Sequence, residues 1–248
     1  MALDLTGKTA FITGGARRIG RATALALANA GVNVVIHYKR SREEAEQLAS
    51  EIQSIGPRAW VIQSDLGMNE EVETLIDRAS GISGPLDILI NNASMFPRSS
   101  FDSVTLEEVI HSVEVDAWAP FALGRRFAEK TQTGHIVNFL DTRIVINYDW
   151  SHVAYMAGKH LLGLFTRMMA VHLAPGIQVN AVAPGLILPP EGKGLDYLES
   201  LKGELPLKRI GSPEYVADAV LFLVRSEFIT GQVIFVDGGR HLDEVGRG

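Results

Sequence analysis

Short hydrophobic runs alternate along this chain with longer segments whose apolar residues recur at helical spacing. The runs have the length of buried strands and comprise residues 9–13, 32–38, 59–63, 86–90, 135–140, 178–182 and 233–236. The amphipathic segments between them are residues 19–30, 42–55, 70–80, 106–129, 153–173 and 214–224. This alternation predicts parallel strands joined by helical crossovers. The expected fold is α/β: one doubly wound, Rossmann-like domain over residues 1–248, with a seven-stranded parallel sheet and helices on both faces.

Composition narrows the class of protein. The chain carries 23 Lys and Arg against 29 Asp and Glu, and this acidic balance disfavours nucleic-acid binding. It contains no Cys, which excludes disulfides and thiolate metal sites, and no His, Asp or Glu cluster has metal-ligand spacing. No apolar stretch approaches the roughly 20 residues of a membrane span, and no targeting segment is recognisable. We therefore expect a cytoplasmic protein without a metal or a membrane partner.

Residues 186–206 form the least regular segment of the sequence. They include Pro189, Pro190, Gly192 and Gly194, a composition that predicts a long loop with at most one short helix. Long loops inside compact domains usually carry function. We expect this one to border the substrate.

A glycine-rich turn follows the first predicted strand and opens the first helix. Glycines allow a sharp turn and a close approach of the backbone to a phosphate, and the helix N-terminus supplies free N–H groups. Ala16 stands where the strict G-x-G-x-x-G fingerprint has its second glycine, so a plain connecting turn is the alternative interpretation. The residues expected to hold the phosphates are Gly14, Arg17, Arg18, Ile19 and Gly20.

The end of the second strand indicates which cofactor would bind. NAD sites usually place an acidic residue there to bind the ribose 2′-hydroxyl. Here the segment His37, Tyr38, Lys39, Arg40 and Ser41 lacks a carboxylate, and Arg42 follows it. Together with Arg17 and Arg18, these cations favour NADP(H), whose 2′-phosphate is dianionic. A solvated helix start is the alternative, although cations there oppose the helix dipole.

Asp65 and Leu66 come at the end of the third strand. The Asp65 carboxylate could bind the adenine amino group of a dinucleotide or cap the following helix, and the sequence leaves both roles open.

Tyr155 and Lys159 lie four residues apart on one face of a predicted helix. A phenol has a pKa of about 10, and a neighbouring ammonium favours the phenolate, so Lys159 is expected to lower the Tyr155 pKa. An ordinary surface pair would show the same spacing.

Two more motifs follow strands: Asn92-Ala93-Ser94 after the fourth, and Pro184-Gly185-Leu186 after the sixth. In this order and spacing, the motifs resemble the short-chain dehydrogenase/reductase family over nearly the whole chain. The resemblance implies an NAD(P)-dependent oxidoreductase in which Tyr155 donates a proton and Lys159 binds the nicotinamide ribose. It also implies a homotetramer paired through the helices at 106–129 and 153–173.

The chain departs from the usual family pattern at three positions. Asp141 replaces a Ser, Asp116 replaces an Asn, and Arg18 replaces a Gly. Arg18, Asp141 and Phe96, which follows the Asn-Ala-Ser motif, resemble the pteridine reductase branch, in which an Asp works with the Tyr and an aromatic ring stacks on the pterin. The resemblance implies these substrate-binding residues: Arg17, Ser94, Phe96, Asp141 and Tyr155. On spacing alone, Asp141 could equally be a turn cap and Phe96 a packing residue.

The expected activity is NADPH-dependent reduction of a pterin ring C=N, from a dihydropterin or dihydromonapterin to the tetrahydro form, with Asp141, Tyr155 and Lys159 as catalytic residues. One alternative is reduction of another carbonyl, such as a 3-oxoacyl thioester. A second is a protein that binds NADP without catalysis, because two positions of the usual catalytic set are changed.

Overall fold

A computed structural model describes residues 3–145, 148–190 and 192–242. Within them seven parallel strands form one sheet in the order β3-β2-β1-β4-β5-β6-β7. The strands are β1 Thr9–Thr13, β2 Asn33–Tyr38, β3 Ala59–Gln63, β4 Ile88–Asn91, β5 Gly134–Phe139, β6 Ile177–Pro184 and β7 Val233–Val236. The expected doubly wound α/β fold is confirmed. The hydrophobic runs predicted the strands because a parallel strand is covered on both faces.

Helices cover both faces of the sheet. They are α1 Arg18–Asn29, α2 Arg42–Ile55, α3 Asn69–Ser83, α4 Leu106–Val113, α5 Ala119–Lys130, α6 Val153–His172, α7 Leu195–Leu201 and α8 Pro213–Val224. One core packs α1, α2 and α8 against the sheet, and the other packs α3, α5 and α6 against the opposite face. Alternate strand residues therefore point into different cores, as Ile12 and Phe11 of β1 do.

The segment predicted as one helix over residues 106–129 is divided. A π-helical turn, Glu114–Trp118, separates α4 from α5, and Pro120 lies in the first turn of α5. Proline lacks a backbone N–H, and in the first turn of a helix that group would have no partner within the helix. Such π turns often lie at functional sites, and this one contains the buried Asp116.

None of the helices in the described part of the chain is long and apolar enough to span a bilayer. The irregular segment at 186–206 does contain one short helix, α7. The carboxyl ends of β1 and β4 are adjacent, and the chain runs from them to opposite sides of the sheet. This is where open α/β sheets bind ligands.

Candidate active site

Backbone packing explains the glycines of the turn between β1 and α1. A Cβ on Gly14 would lie 2.9 Å from Ala93 Cα, and one on Gly20 would lie 2.3 Å from the Gly14 carbonyl oxygen. The Asn92 side-chain amide donates to the carbonyl oxygens of Thr13 and Gly14, both at 2.9 Å. Asn92 therefore holds the turn in place, with its amide hydrogen-bonded to protein.

His37 holds the same turn from β2. Its Nδ1 accepts from the Gly14 N–H at 3.0 Å, so Nε2 carries the hydrogen and donates to the Ser64 carbonyl oxygen at 3.0 Å. Burial lowers the His37 pKa to about 4. His37 is therefore neutral near pH 7, and it supports the turn between β1 and α1 without adding a positive charge.

Because His37 is neutral in the folded protein, the free energy of unfolding should depend on pH. The folded pKa of His37 lies below the ordinary 6.5, so the unfolded chain binds more protons between pH 6.5 and 4, and stability falls as the pH falls through that window. At pH 5 the loss from His37 should be about 2 kcal/mol. Urea unfolding of the wild type and His37→Gln at pH 7.5 and pH 5 measures it. The variant should lose less stability on acidification, and an equal loss in both would contradict the assignment.

A cavity of about 730 Å³ opens above these strand ends. Its wall contains these residues that were expected to bind the cofactor: Gly14, Arg17, Arg18, Ile19, Gly20, His37, Tyr38, Lys39, Arg40, Ser41, Asp65, Leu66, Asn92, Ala93 and Ser94. The rest of the wall, which the sequence did not indicate, is Ala16, Met95, His111 and Val115. His111 and Val115 come from α4 and the π turn, whose approach to the cavity depends on how α4 packs.

Most of the cations expected at the 2′-phosphate line this cavity, but Arg42 does not. Lys39 pairs with Asp65 at 2.7 Å, whereas Arg42 pairs with Glu46 along α2 and is not in the cavity wall. Asp65 also accepts from the Gly67 N–H, and it does not cap α3, whose N-cap is Met68. Burial raises the Asp65 pKa, but its hydrogen bonds to Lys39 and Gly67 outweigh this effect and hold the pKa below its usual value.

Arg18 adopts a left-handed backbone conformation, with φ of 54°. Its Nη2 donates to the Pro189 carbonyl oxygen at 2.7 Å. The guanidinium therefore connects the turn between β1 and α1 to the 186–206 loop. The sequence had suggested instead that Arg18 contacts the 2′-phosphate of the cofactor. Arg17 lies beside Glu44 of α2, with Nη1 and Oε1 3.8 Å apart.

A second cavity of about 200 Å³ adjoins the first and shares Arg18, Ile19, Asn92 and Ser94 with it. Asp141, Tyr155, Lys159, Pro184 and Gly185 line it, as expected, together with Phe139, Leu140, Ile187 and Leu188. Leu186 is not in this wall, and its side chain packs with Leu198 and Leu205.

Asp141 and Tyr155 are hydrogen-bonded. The Tyr155 hydroxyl donates to Asp141 Oδ2 at 2.9 Å, and Asp141 Oδ1 accepts from the Arg143 N–H at 2.8 Å. Asp141 is therefore also the turn cap that its spacing had left open as an alternative. Lys159 is buried and donates to the Phe139 carbonyl oxygen at 2.8 Å, with its Nζ 3.5 Å from Asp116 Oδ1.

The expected lowering of the Tyr155 pKa was wrong. Burial, followed by the negative charges of Asp141 and Asp116, raises the pKa of Tyr155 well above its ordinary value. The sequence showed the ammonium four residues away on the same helix, whereas folding adds two carboxylates from other elements. Tyr155 is consequently a protonated phenol that can donate a proton.

Phe96 is not in the wall of this cavity, but its ring contacts that of Tyr155, which is. Its ring stacks on His152 with 3.8 Å between centroids, and it meets the Tyr155 ring edge-on at 4.7 Å. His152 is in turn held by Asp149 through Nδ1 at 3.0 Å. One face of Phe96 is thus covered by His152, so a flat substrate cannot stack on that face.

A nucleotide-sized cleft that leads from a glycine turn to a buried Tyr and Lys pair defines a dinucleotide-dependent oxidoreductase. A family model described as Enoyl-(Acyl carrier protein) reductase matches residues 14–241. The chain belongs to the short-chain dehydrogenase/reductase family, and the expected enzyme class is confirmed.

Relatives within this family act on varied substrates. The chain is 34% identical to 3beta-hydroxysteroid dehydrogenase 1 of Eggerthella lenta, over 96% of this chain and 95% of that protein. It is 33% identical to a 3-oxoacyl-acyl-carrier-protein reductase of Staphylococcus epidermidis, over 95% and 99% of the two chains. The structure of FolM alternative dihydrofolate reductase 1 from Brucella suis, in complex with NADP, matches with a TM-score of 0.92 and 34% identity, over 98% of each chain. That complex agrees with the NADP type of cofactor expected from β2.

Proposed function

We propose that this protein is an NADPH-dependent reductase of a pterin ring C=N, converting a dihydropterin such as dihydromonapterin to its tetrahydro form. The observation that carries the proposal is the hydrogen bond from the Tyr155 hydroxyl to Asp141 Oδ2. Hydride reduction of a C=O or of a ring C=N needs a proton on the heteroatom, but an ionised carboxylate beside the donor disfavours the anionic oxygen that a carbonyl forms. The similarity to a FolM alternative dihydrofolate reductase supports the same substrate class.

The residues of the larger cavity suit NADPH, which supplies the hydride when it is bound. The tight glycine turn leaves the N-terminus of α1 open to the pyrophosphate. Lys39, Arg40 and Ser41 would hold the 2′-phosphate, and the Lys159 ammonium, which has donors beyond the bond to Phe139, would hold the nicotinamide ribose.

Asp141 and Tyr155 act as one proton-delivery unit in this mechanism. The phenol stays protonated at neutral pH, and its hydrogen must turn from Asp141 to the ring nitrogen to be donated as the neighbouring carbon is reduced. A phenolate beside a carboxylate would be unfavourable, so Asp141 passes on a proton taken from solvent and restores the phenol. Asp141 is partly exposed, which gives this proton a route.

The pterin would lie between the nicotinamide and the Phe96 ring, on the side away from His152. Offset stacking of this kind contributes about 1 kcal/mol. Ser94 and Arg17 lie along the same groove and would bind the polar edge of the pterin.

Reduction of a 3-oxoacyl thioester is the second candidate, supported by the similarity to 3-oxoacyl reductases. Asp141 weighs against it, because an ionised carboxylate beside Tyr155 would repel the alkoxide that forms on a carbonyl oxygen. The deciding experiment measures NADPH oxidation with 7,8-dihydropterins, dihydromonapterin among them, and with an acetoacetyl thioester. Turnover of the pterins alone supports the proposal, and turnover of the thioester alone rejects it.

The preference for NADPH should depend on Arg40. Arg40→Ala removes a charge-assisted contact to the 2′-phosphate and should raise the KM for NADPH about 10-fold or more, with the KM for NADH changed less than about threefold. Arg42→Ala is the matched control, since Arg42 pairs with Glu46 outside the cavity wall. Equal effects on NADPH and NADH would place the 2′-phosphate elsewhere.

Exposed apolar side chains support a homotetramer formed through the helices around 106–129 and 153–173. Leu106 and Ile110 of α4 and Leu164, Met168 and Val171 of α6 are all exposed. Within α6 these residues recur at helical spacing and form one outward stripe, which suits pairing with a second copy.

A further inference from the structure

Asp116 is fully buried in the π turn between α4 and α5, beside the reaction site. Helix α6 packs tightly on this turn, and a Cβ on Gly158 would lie 2.9 Å from Asp116 Cβ. The carboxyl group is therefore held in one place, with little freedom to turn toward other partners.

Three donors surround this carboxyl group. Ser94 Oγ donates to Oδ1 at 2.5 Å, Ser112 Oγ donates to Oδ2 at 3.1 Å, and the Lys159 ammonium lies 3.5 Å from Oδ1. A carboxylate paired with an ammonium can only accept hydrogen bonds. Both serine hydroxyls must therefore point their hydrogens at Asp116.

This requirement determines which hydrogen bonds the Ser94 hydroxyl can make with a ligand. A hydroxyl has one hydrogen, and at Ser94 the nearby carboxylate uses it, since the Met95 carbonyl oxygen lies at 3.5 Å. Ser94 is exposed and lines both cavities. What it offers to a bound molecule is its oxygen lone pairs, so it accepts a hydrogen bond and cannot give one.

We propose that Asp116 is a positioning residue that makes Ser94 an obligate acceptor, so that the site selects substrates whose edge presents an N–H donor. This inference rests on the proposed function in taking the 2-amino group of a pterin as that donor. The family's usual Asn at this position has both a donor and an acceptor, so it would let the hydroxyl turn either way. Asp116 removes that freedom.

The test compares two ligands that differ in the group at C2, and with it in the hydrogen on the adjacent ring nitrogen N1. Pterin carries a 2-amino donor, and lumazine carries a carbonyl acceptor there. Equilibrium dialysis against the NADP-loaded protein should show that the wild type binds pterin about 10-fold or more tighter than lumazine, because the Ser94 lone pairs oppose the carbonyl. In Asp116→Asn and in Ser94→Ala the ratio should fall below about threefold.

Two further variants separate this role from general disruption. Ser112→Ala removes another hydrogen bond to the same carboxylate without touching Ser94, so the pterin-to-lumazine ratio should persist. In the double variant Asp116→Asn with Ser94→Ala, the pterin-to-lumazine ratio should be no lower than in either single variant, because both changes remove the same interaction. Thermal unfolding and NADPH binding establish that each variant is folded.

The outcomes distinguish the inference from the function on which it rests. If the wild type binds and reduces pterins but the ratio is unchanged in Asp116→Asn and Ser94→Ala, the inference is overturned and the proposed function stands. If the wild type neither binds pterin nor reduces dihydropterins, both are overturned. A loss of selectivity in those two variants, with the ratio kept in Ser112→Ala, supports the inference.

Discussion

Replacing Tyr155 by Phe should lower kcat for dihydropterin reduction roughly 100- to 10,000-fold, the usual contribution of a positioned proton donor. The ring fills the same space and keeps its edge contact with Phe96, so only the hydroxyl hydrogen-bonded to Asp141 is lost. The Kd for NADPH, measured by fluorescence titration, should change less than about threefold. Stopped-flow measurement of NADPH oxidation then isolates the chemical step.

Tyr215→Phe is the control for this substitution. Tyr215 is a half-exposed tyrosine on α8, which packs on the face of the sheet opposite α6. Its replacement should leave kcat unchanged. A Tyr155→Phe variant that kept most of its kcat would show that Asp141 or the substrate itself delivers the proton.

Asp141→Ser should lower kcat/KM for dihydropterins about 100-fold or more and keep or raise any activity on an acetoacetyl thioester. A hydroxyl can polarise a carbonyl oxygen without opposing its developing charge, but it is a much weaker acid than a carboxyl group and a poorer proton donor to Tyr155. The two substrates should therefore respond in opposite directions. Parallel losses on both would mean that Asp141 mainly supports the fold of the loop through its hydrogen bond to Arg143.

The pH dependence of kcat/KM in a second variant at this position, Asp141→Asn, provides another readout. Burial and then the charge of Asp141 raise the Tyr155 pKa, so removing that charge in Asp141→Asn should lower it. Because the protonated phenol is the reactive form, the alkaline fall of kcat/KM should move to lower pH in the variant. An unmoved alkaline limb would show that Asp141 does not set the protonation of Tyr155.

Much of the cofactor site was predictable from sequence because its residues follow strand ends. Parallel strands bring their carboxyl ends to one edge, so motifs far apart in sequence, such as Gly14 and Asn92, were expected to meet there. The side-chain partners were not predictable. The contact from Arg18 to Pro189 depends on the fold of the loop, and the contribution of His111 depends on where α4 packs.

The sequence by itself determined the alternation of strands and helices, the glycine turn, the basic end of β2 and the Tyr155 and Lys159 pair. Those features depend on local spacing, or on chain order in a sheet whose handedness is general. Only the tertiary structure decided the charge around Tyr155, because electrostatic effects depend on distances in space. Asp141 follows β5 and Asp116 belongs to a π turn, and their approach to one phenol reversed the expected direction of its pKa.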